Sequence, residues 1–296
     1  MKILLLGKNG QLGWELQRSL APLGELIALG HDAAGGDYTR LEEVQHAVRS
    51  IAPDVIVNAG AHTAVDKAES EPELAHQLNA LAPALLAAEA KRLGAWLVHY
   101  STDYVFDGSG STPWVEIDAT KPLSVYGRTK VESEVAIRDT GCRHLSFRTS
   151  WVYAARGGNF AKTMLRLGRE KDELTVIDDQ IGAPTGADLL ADVTAHALRV
   201  ACQRPEVSGL YHLVAGGETS WHGYASFVLD QARQLGVDLK VAPGAIKPVP
   251  TSAFPTAAER PRNSRLNTHK LQTTFGLTLP HWQMGVARML AEVLEK

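Results

Sequence analysis

Tyr126 and Lys130 stand four residues apart in the run Tyr126-Gly127-Arg128-Thr129-Lys130, which opens a helical stretch continuing through Glu132 and Val135. Residues i and i+4 share one helix face, so both side chains can enter one site. A phenol with an ordinary pKa of about 10 is a poor proton donor near neutrality, but an adjacent ammonium favours the phenolate and lowers that pKa. The pair is therefore equipped to deliver a proton. Upstream, Tyr100-Ser101-Thr102-Asp103-Tyr104 gathers hydroxyl groups at the end of an apolar run, where two clustered donors suit a substrate carbonyl. By itself Tyr-x-x-x-Lys fits equally a solvated helix with its tyrosine packed on a sheet, so its meaning depends on the other motifs.

Gly7-Lys8-Asn9-Gly10-Gln11-Leu12-Gly13 directly follows the apolar run 3–6 and leads into a helical pattern. In such a loop the first glycine permits the tight turn, the second admits a pyrophosphate close to the backbone, and the third lets helix and strand pack. The free N–H groups and partial positive charge of the helix N-terminus then face the phosphates. A ligand-free strand–turn–helix is the plainer alternative. A fold of this type that prefers NAD usually ends its second strand with an acidic residue on the ribose. Here Gly30 holds that position and Asp32 follows two residues on; Asp37 and Tyr38 read either as adenine contacts or as a polar loop. The third run ends in Asn58-Ala59-Gly60-Ala61-His62-Thr63, small residues past which a cofactor can run, with His62 read as a hydrogen-bonded loop residue rather than an acid or base.

The elements that must position these groups are short apolar runs at 3–6, 26–29, 55–57, 96–100 and 144–147, each followed by a helical pattern. Runs without period-two alternation, separated by helices, predict a Rossmann-type doubly wound parallel α/β sheet. Helices are expected at 11–20, 41–51 and 73–93, the last kinked or started late by Pro83, and at 160–169, 188–202, 221–235 and 282–294. The stretch 242–265 carries five prolines and reads as a loop. Residues 1–150, with parts of 151–220, are expected to form the dinucleotide-binding domain, and roughly 151–296 a smaller, interleaved substrate-binding domain. The 296 residues carry 30 basic and 33 acidic side chains, a net charge of -3, which gives no electrostatic ground for binding nucleic acid. Two cysteines, no membrane-length apolar run, and an initial apolar run too short for a signal peptide lead to the expectation of a soluble cytoplasmic protein.

With the glycine loop, Thr102 and Tyr-x-x-x-Lys in this order, the chain resembles the extended short-chain dehydrogenase/reductases. The segments 7–20, 58–75, 99–108, 125–134, 147–154, 180–192 and 260–268 resemble the dTDP-4-dehydrorhamnose reductase branch of that family nearly end to end. The resemblance implies NAD(P)H-dependent reduction of the C4 ketone of dTDP-4-dehydro-β-L-rhamnose to dTDP-β-L-rhamnose, with Thr102, Tyr126 and Lys130 catalytic. It places NADPH or NADH on Gly10, Gln11, Leu12, Asp37, Tyr38, Ala61, His62, Thr63, Tyr100, Tyr126 and Lys130, alongside Gly7 and Gly13 of the loop. The nucleotide-sugar would meet Thr102, Asp103 and Trp151, although core packing accounts for a tryptophan equally simply. Some members carry an Asp where this chain has Gly30, so NADPH is expected to serve at least as well as NADH. The resemblance also implies a homodimer bridged by Mg2+ at Glu15, Asp188 and Glu292, for which three solvated carboxylates are the alternative. An epimerase or dehydratase on the same cradle, with Asp103 as its base, and a non-catalytic NADP-binding subunit remain the rival activities.

Overall fold

The computed structural model describes residues 1–295. The expected strands form as β1 (Lys2–Leu6), β2 (Glu25–Leu29), β3 (Val55–Asn58), β4 (Trp96–Thr102) and β5 (Arg143–Thr149). A sixth strand, Gly209–His212, joins them in one parallel sheet ordered Gly209–His212, β5, β4, β3, β1, β2. Alternate residues of a strand point to opposite faces, and both faces here are covered. Ile3 and Leu5 of β1 pack in one cluster, whereas Leu4 and Leu6 pack in another.

The connections carry α1 (Gln11–Leu20), α2 (Leu41–Ile51), the broken run α3 (Val65–Ser70), α4 (Pro72–His76) and α5 (Ala82–Leu93), and then α6 (Val125–Thr140). Pro83 explains the break before α5. It has no N–H to donate, and the chain widens into a π turn over Gln77–Leu81, with the Ala82 N–H reaching back to Gln77 O. The remaining helices are α7 (Phe160–Glu170), α8 (Ala187–Gln203), α9 (Trp221–Gln234), α10 (His269–Phe275) and α11 (Trp282–Val293). Helices α1 and α8 cover one face of the sheet, with Leu16, Leu20, Leu190 and Ala197 in its core. Helices α2, α5 and α6 cover the other through Val44, Val48, Leu86, Ala90 and Ile137.

A separate apolar cluster gathers residues from the second half, among them Tyr153, Met164, Tyr224, Val228, Trp282 and Leu290. The proline-rich segment 242–265 is not wholly a loop, because Ile246–Val249 pairs in parallel with Leu174–Ile177. Among the described residues no helix is long and apolar enough to cross a membrane.

Candidate active site

The cradle is set by close backbone packing. Gly7 ends β1 at φ +89°, and a Cβ there would meet the Gly60 nitrogen at 2.5 Å. A Cβ on Gly13 would collide with the Gly7 carbonyl oxygen. Strand β1, helix α1 and the end of β3 are thereby drawn together as closely as the chain allows. Gly10 differs from both: the nearest atom to its added Cβ is Gly7 O at 3.5 Å, an ordinary contact, and its φ of -71° suits any residue. Gly10 caps α1 with no side-chain hydrogen bond. The protein itself leaves that position room and leaves the helix N-terminus free, which is how a phosphate cradle should look.

A cavity of about 270 Å³ lies along the ends of β1, β2 and β3, between Gly7, Gly10, His31, Asp37, Tyr38 and Ala61. Asp37 keeps its carboxylate below the usual range by accepting from the Thr39 N–H and hydroxyl. Tyr38 is buried, with its hydroxyl donating to Asn58 Oδ1 at 2.6 Å. The Gly30 position has a local cause. A Cβ on Gly30 would strike Asp32 Oδ1 and Asn9 Nδ2, which are hydrogen-bonded to each other at 2.9 Å. Asp32 thus brings a carboxylate back to the end of β2.

At the other end of the cleft, Thr102 closes β4 and Tyr126 opens α6, whose N-terminus is capped by the Ser124 hydroxyl accepting from the Gly127 N–H. Burial pushes the Tyr126 phenol up to about 12, while a hydrogen bond with Thr102 pulls it down. Its ring stands edge-on to Tyr104, centroids 5.6 Å apart. Asp103 is buried, accepts from Thr102 Oγ1 at 3.1 Å, and leaves Oδ2 without a partner; burial raises it to about 6, with Ser264 and Thr102 opposing. Thr102, Asp103 and Tyr126 therefore converge. Lys130 is on the same helix face, but its amine is turned to Tyr100 O at 2.5 Å, and burial lowers it to about 8. The side chain of Tyr100 leaves the cleft altogether, its hydroxyl meeting Thr194 Oγ1 at 2.7 Å on the α8 side.

Other expected contacts are arranged unevenly. Gln11 Oε1 accepts from Asn159 Nδ2, Leu12 is half-buried against the sheet's core, and Thr63 is exposed. His62 is buried as a loop residue, held by Asn79 at its N–H and by Glu71 at Nε2, with Nδ1 left without a partner. Trp151 sits at φ +49°, a conformation costly for a bulky residue, and stacks on Trp221 at 3.7 Å. Trp221, seventy positions away, carried no local signal. Glu15, Asp188 and Glu292 line one cavity of about 370 Å³ with Arg18 and Arg288. Asp188 pairs with Arg288 at 3.4 Å and Glu15 with Arg18 at 3.4 Å. Among the described residues no cluster of three such groups is arranged to hold a metal ion.

Comparison with known proteins places the chain in a family. The family model described as the RmlD substrate binding domain matches residues 1–295. The dTDP-4-dehydrorhamnose reductase of Shigella flexneri is 61% identical over 295 residues, covering 99% of this chain and 98% of that one. A dTDP-4-dehydrorhamnose reductase structure from Clostridium acetobutylicum superposes with a TM-score of 0.89 at 37% identity, covering 100% of both chains. Another, from Bacillus anthracis in complex with NADP, gives 0.87 at 34% identity, covering 99% of this chain and 100% of that one.

The two glycines should separate in experiment. Gly13→Ala is expected to lower unfolding stability by about 1–3 kcal/mol through overpacking, read by urea titration. Gly10→Ala should leave that titration unchanged and weaken NADPH binding at least tenfold by fluorescence; equal NADPH affinity in the two proteins would remove the cradle assignment.

Proposed function

The chain belongs to the RmlD family, and from that premise we propose that it reduces the C4 ketone of dTDP-4-dehydro-β-L-rhamnose to dTDP-β-L-rhamnose with NADPH or NADH. The observation that carries this reading is the convergence of Thr102, Asp103 and Tyr126 at the end of β4, along the same sheet edge as the glycine cradle. Gly10, the free N-terminus of α1 and the cavity beside Tyr38 fit a dinucleotide laid across the ends of β1–β3. A bound dihydronicotinamide supplies the hydride.

The chain's own residues do the rest. The Thr102 hydroxyl, released from Asp103, donates to the ketone oxygen and stabilises its growing negative charge. Tyr126 delivers its phenolic proton to that oxygen. Lys130 holds the ribose and, when swung from Tyr100 O toward the phenol, favours ionisation of Tyr126. The sugar-nucleotide lies between this edge and Trp151, whose stacking on Trp221 presents a fixed apolar wall. On this reading residues 1–150, with parts of 151–220, are assigned to the cofactor unit and roughly 151–296 to the substrate unit. Asp103, buried and with one free oxygen, is the observation that favours an epimerase or dehydratase instead; such an enzyme would retain NAD through purification.

Tyr126→Phe keeps the ring and deletes the proton. With dTDP-4-dehydro-β-L-rhamnose as substrate, kcat should fall by roughly 10²- to 10⁴-fold while the NADPH dissociation constant stays within about twofold. Wild-type kcat in this variant, with hydride transfer shown to be rate-limiting, would move the proton source elsewhere.

For the cofactor, Asp32 opposes a 2'-phosphate and should make NADH at least the equal of NADPH. Asp32→Asn is expected to shift the ratio of dissociation constants toward NADPH by roughly two- to fivefold, the scale of an exposed charge interaction; an unchanged ratio would place Asp32 outside the ribose site. A Mg2+-bridged homodimer through α1 and α11 rests on the shared cavity of Glu15, Asp188 and Glu292. Light scattering should then show a dimer that EDTA dissociates, and a monomer under both conditions rejects it.

A further inference from the structure

A buried polar chain crosses the sheet from the Tyr38 end of the cleft to Lys130. Asn58 Oδ1 accepts from the Tyr38 hydroxyl at 2.6 Å and from the Gly60 N–H at 3.2 Å. A backbone N–H can only donate, so the amide orientation of Asn58 is settled and Nδ2 faces His99 Nδ1 at 3.1 Å. Nδ1 must accept, which leaves the ring proton on Nε2. Nε2 lies 3.1 Å from Ser133 Oγ, and that hydroxyl donates in turn to the Lys130 carbonyl at 2.7 Å. The same Nε2 is 3.3 Å from Lys130 Nζ. Donor faces donor at that contact. Among the described residues the amine finds one acceptor, Tyr100 O at 2.5 Å, although an ammonium carries three protons. Asn58, His99, Lys130 and Ser133 are each at most 2% exposed, so solvent does not make up the difference.

We propose that His99 is a positioning residue for Lys130: held by Asn58 and Ser133 in the tautomer that protonates Nε2, it withholds an acceptor and leaves two of the ammonium's donors for groups it meets on turning to the cleft. Those groups are the cofactor ribose and Tyr126, and the proposal rests on the reading of Lys130 as a cofactor-binding residue. The charged groups around the amine are few. His99 faces it from β4, with His144 of β5 beyond. Glu134 of its own helix acts in the opposite sense but is held by Arg148 of β5 through two hydrogen bonds. Tyr126 stands one turn back, and Asn79 and Thr129, joined at 3.2 Å beside it, are neutral. Burial holds His99 well below its ordinary pKa, so the imidazole stays neutral throughout.

A ligand that supplies acceptors favours the ammonium. NADPH affinity should therefore be constant below about 8, the value to which burial lowers Lys130, and should fall as pH rises beyond it. The experiment is a series of NADPH dissociation constants from pH 6 to 10, read by fluorescence without substrate. His99→Asn keeps an oxygen for Asn58 Nδ2 and removes the protonated Nε2 that lies beside Lys130. Its midpoint should rise by at least one pH unit, a tenfold change in the proton affinity of the amine, and His99→Gln, which returns an N–H near Nε2, should restore it. Should His99→Asn fail to fold by circular dichroism, Asn58→Asp carries the test: the carboxylate keeps its bonds to Tyr38 and Gly60 but accepts from Nδ1, which bares Nε2 toward the amine and should raise the midpoint too. A loss of affinity equal at every pH, with the wild-type midpoint retained, overturns the positioning role. Lys130→Met separates the two layers. If it abolishes the pH dependence while His99→Asn keeps the wild-type midpoint, only the role of His99 fails; if it binds NADPH as the wild type does at every pH, Lys130 does not meet the cofactor and both readings fail.

Discussion

Gly7 is where strand, helix and neighbouring strand meet with no space for a methyl group. Its added Cβ would meet Gly60 on one side, and its carbonyl oxygen fills the space a side chain on Gly13 would need. A side chain at either point would push α1 away from β1, and the free N–H groups of the helix would no longer face the ends of β1–β3. Everything along the cleft is measured from that contact. Residues Asn58–Gly60 reach the cradle because β3 runs beside β1 in register, Leu6 opposite Asn58. The next strand out, β4, pairs Asn58 with His99 and so carries Tyr100 to Thr102 to the far end of the cleft.

The same parallel packing imposes a second requirement. The strand ends that carry function are buried on both faces, and a buried polar group without a partner costs about 1–3 kcal/mol. Asn58, Asn79, His99, Ser133 and Thr129 meet it by bonding to one another and to the backbone. The exceptions are concentrated in the cleft and the second half: Asp103 Oδ2, His62 Nδ1 and Thr149 Oγ1 lie at or near strand ends on the ligand side. An oxygen such as Asp103 Oδ2, left bare beside Thr102, is a buried acceptor still without a partner.

What the sequence made legible follows from the range of each interaction. Helices α1 and α2 have the boundaries their apolar spacing predicts, and the strands grow by one to three residues because pairing continues past the apolar run. The glycine loop, Thr102 and the Tyr126–Lys130 pair are local patterns, visible as spacing. The sixth strand, Gly209–His212, carries a glycine and two polar-tipped side chains at the sheet edge and has no apolar run to announce it. Pairing of Ile246–Val249 with Leu174–Ile177 joins residues about seventy positions apart, so its prolines dominated the local reading. Asn58, His99 and Trp221 acquire their roles only across strands or between distant helices. Asp32, folded back over Gly30, belongs with them, because a turn of that kind leaves no periodic trace.

The state in which the site holds its phenol bears on the direction of the chemistry. With Lys130 turned to Tyr100 O, burial keeps Tyr126 near 12 and therefore protonated at neutral pH. That is the form a reductase needs, since the alkoxide produced by hydride addition is a stronger base than the phenolate. Proton transfer from the phenol is then downhill without prior ionisation. An epimerase or dehydratase must begin by removing a proton, and the carboxylate that burial raises toward neutrality beside Tyr126 is Asp103, itself engaged with Thr102. The protonation state that burial imposes on Tyr126 thus suits proton delivery rather than proton abstraction.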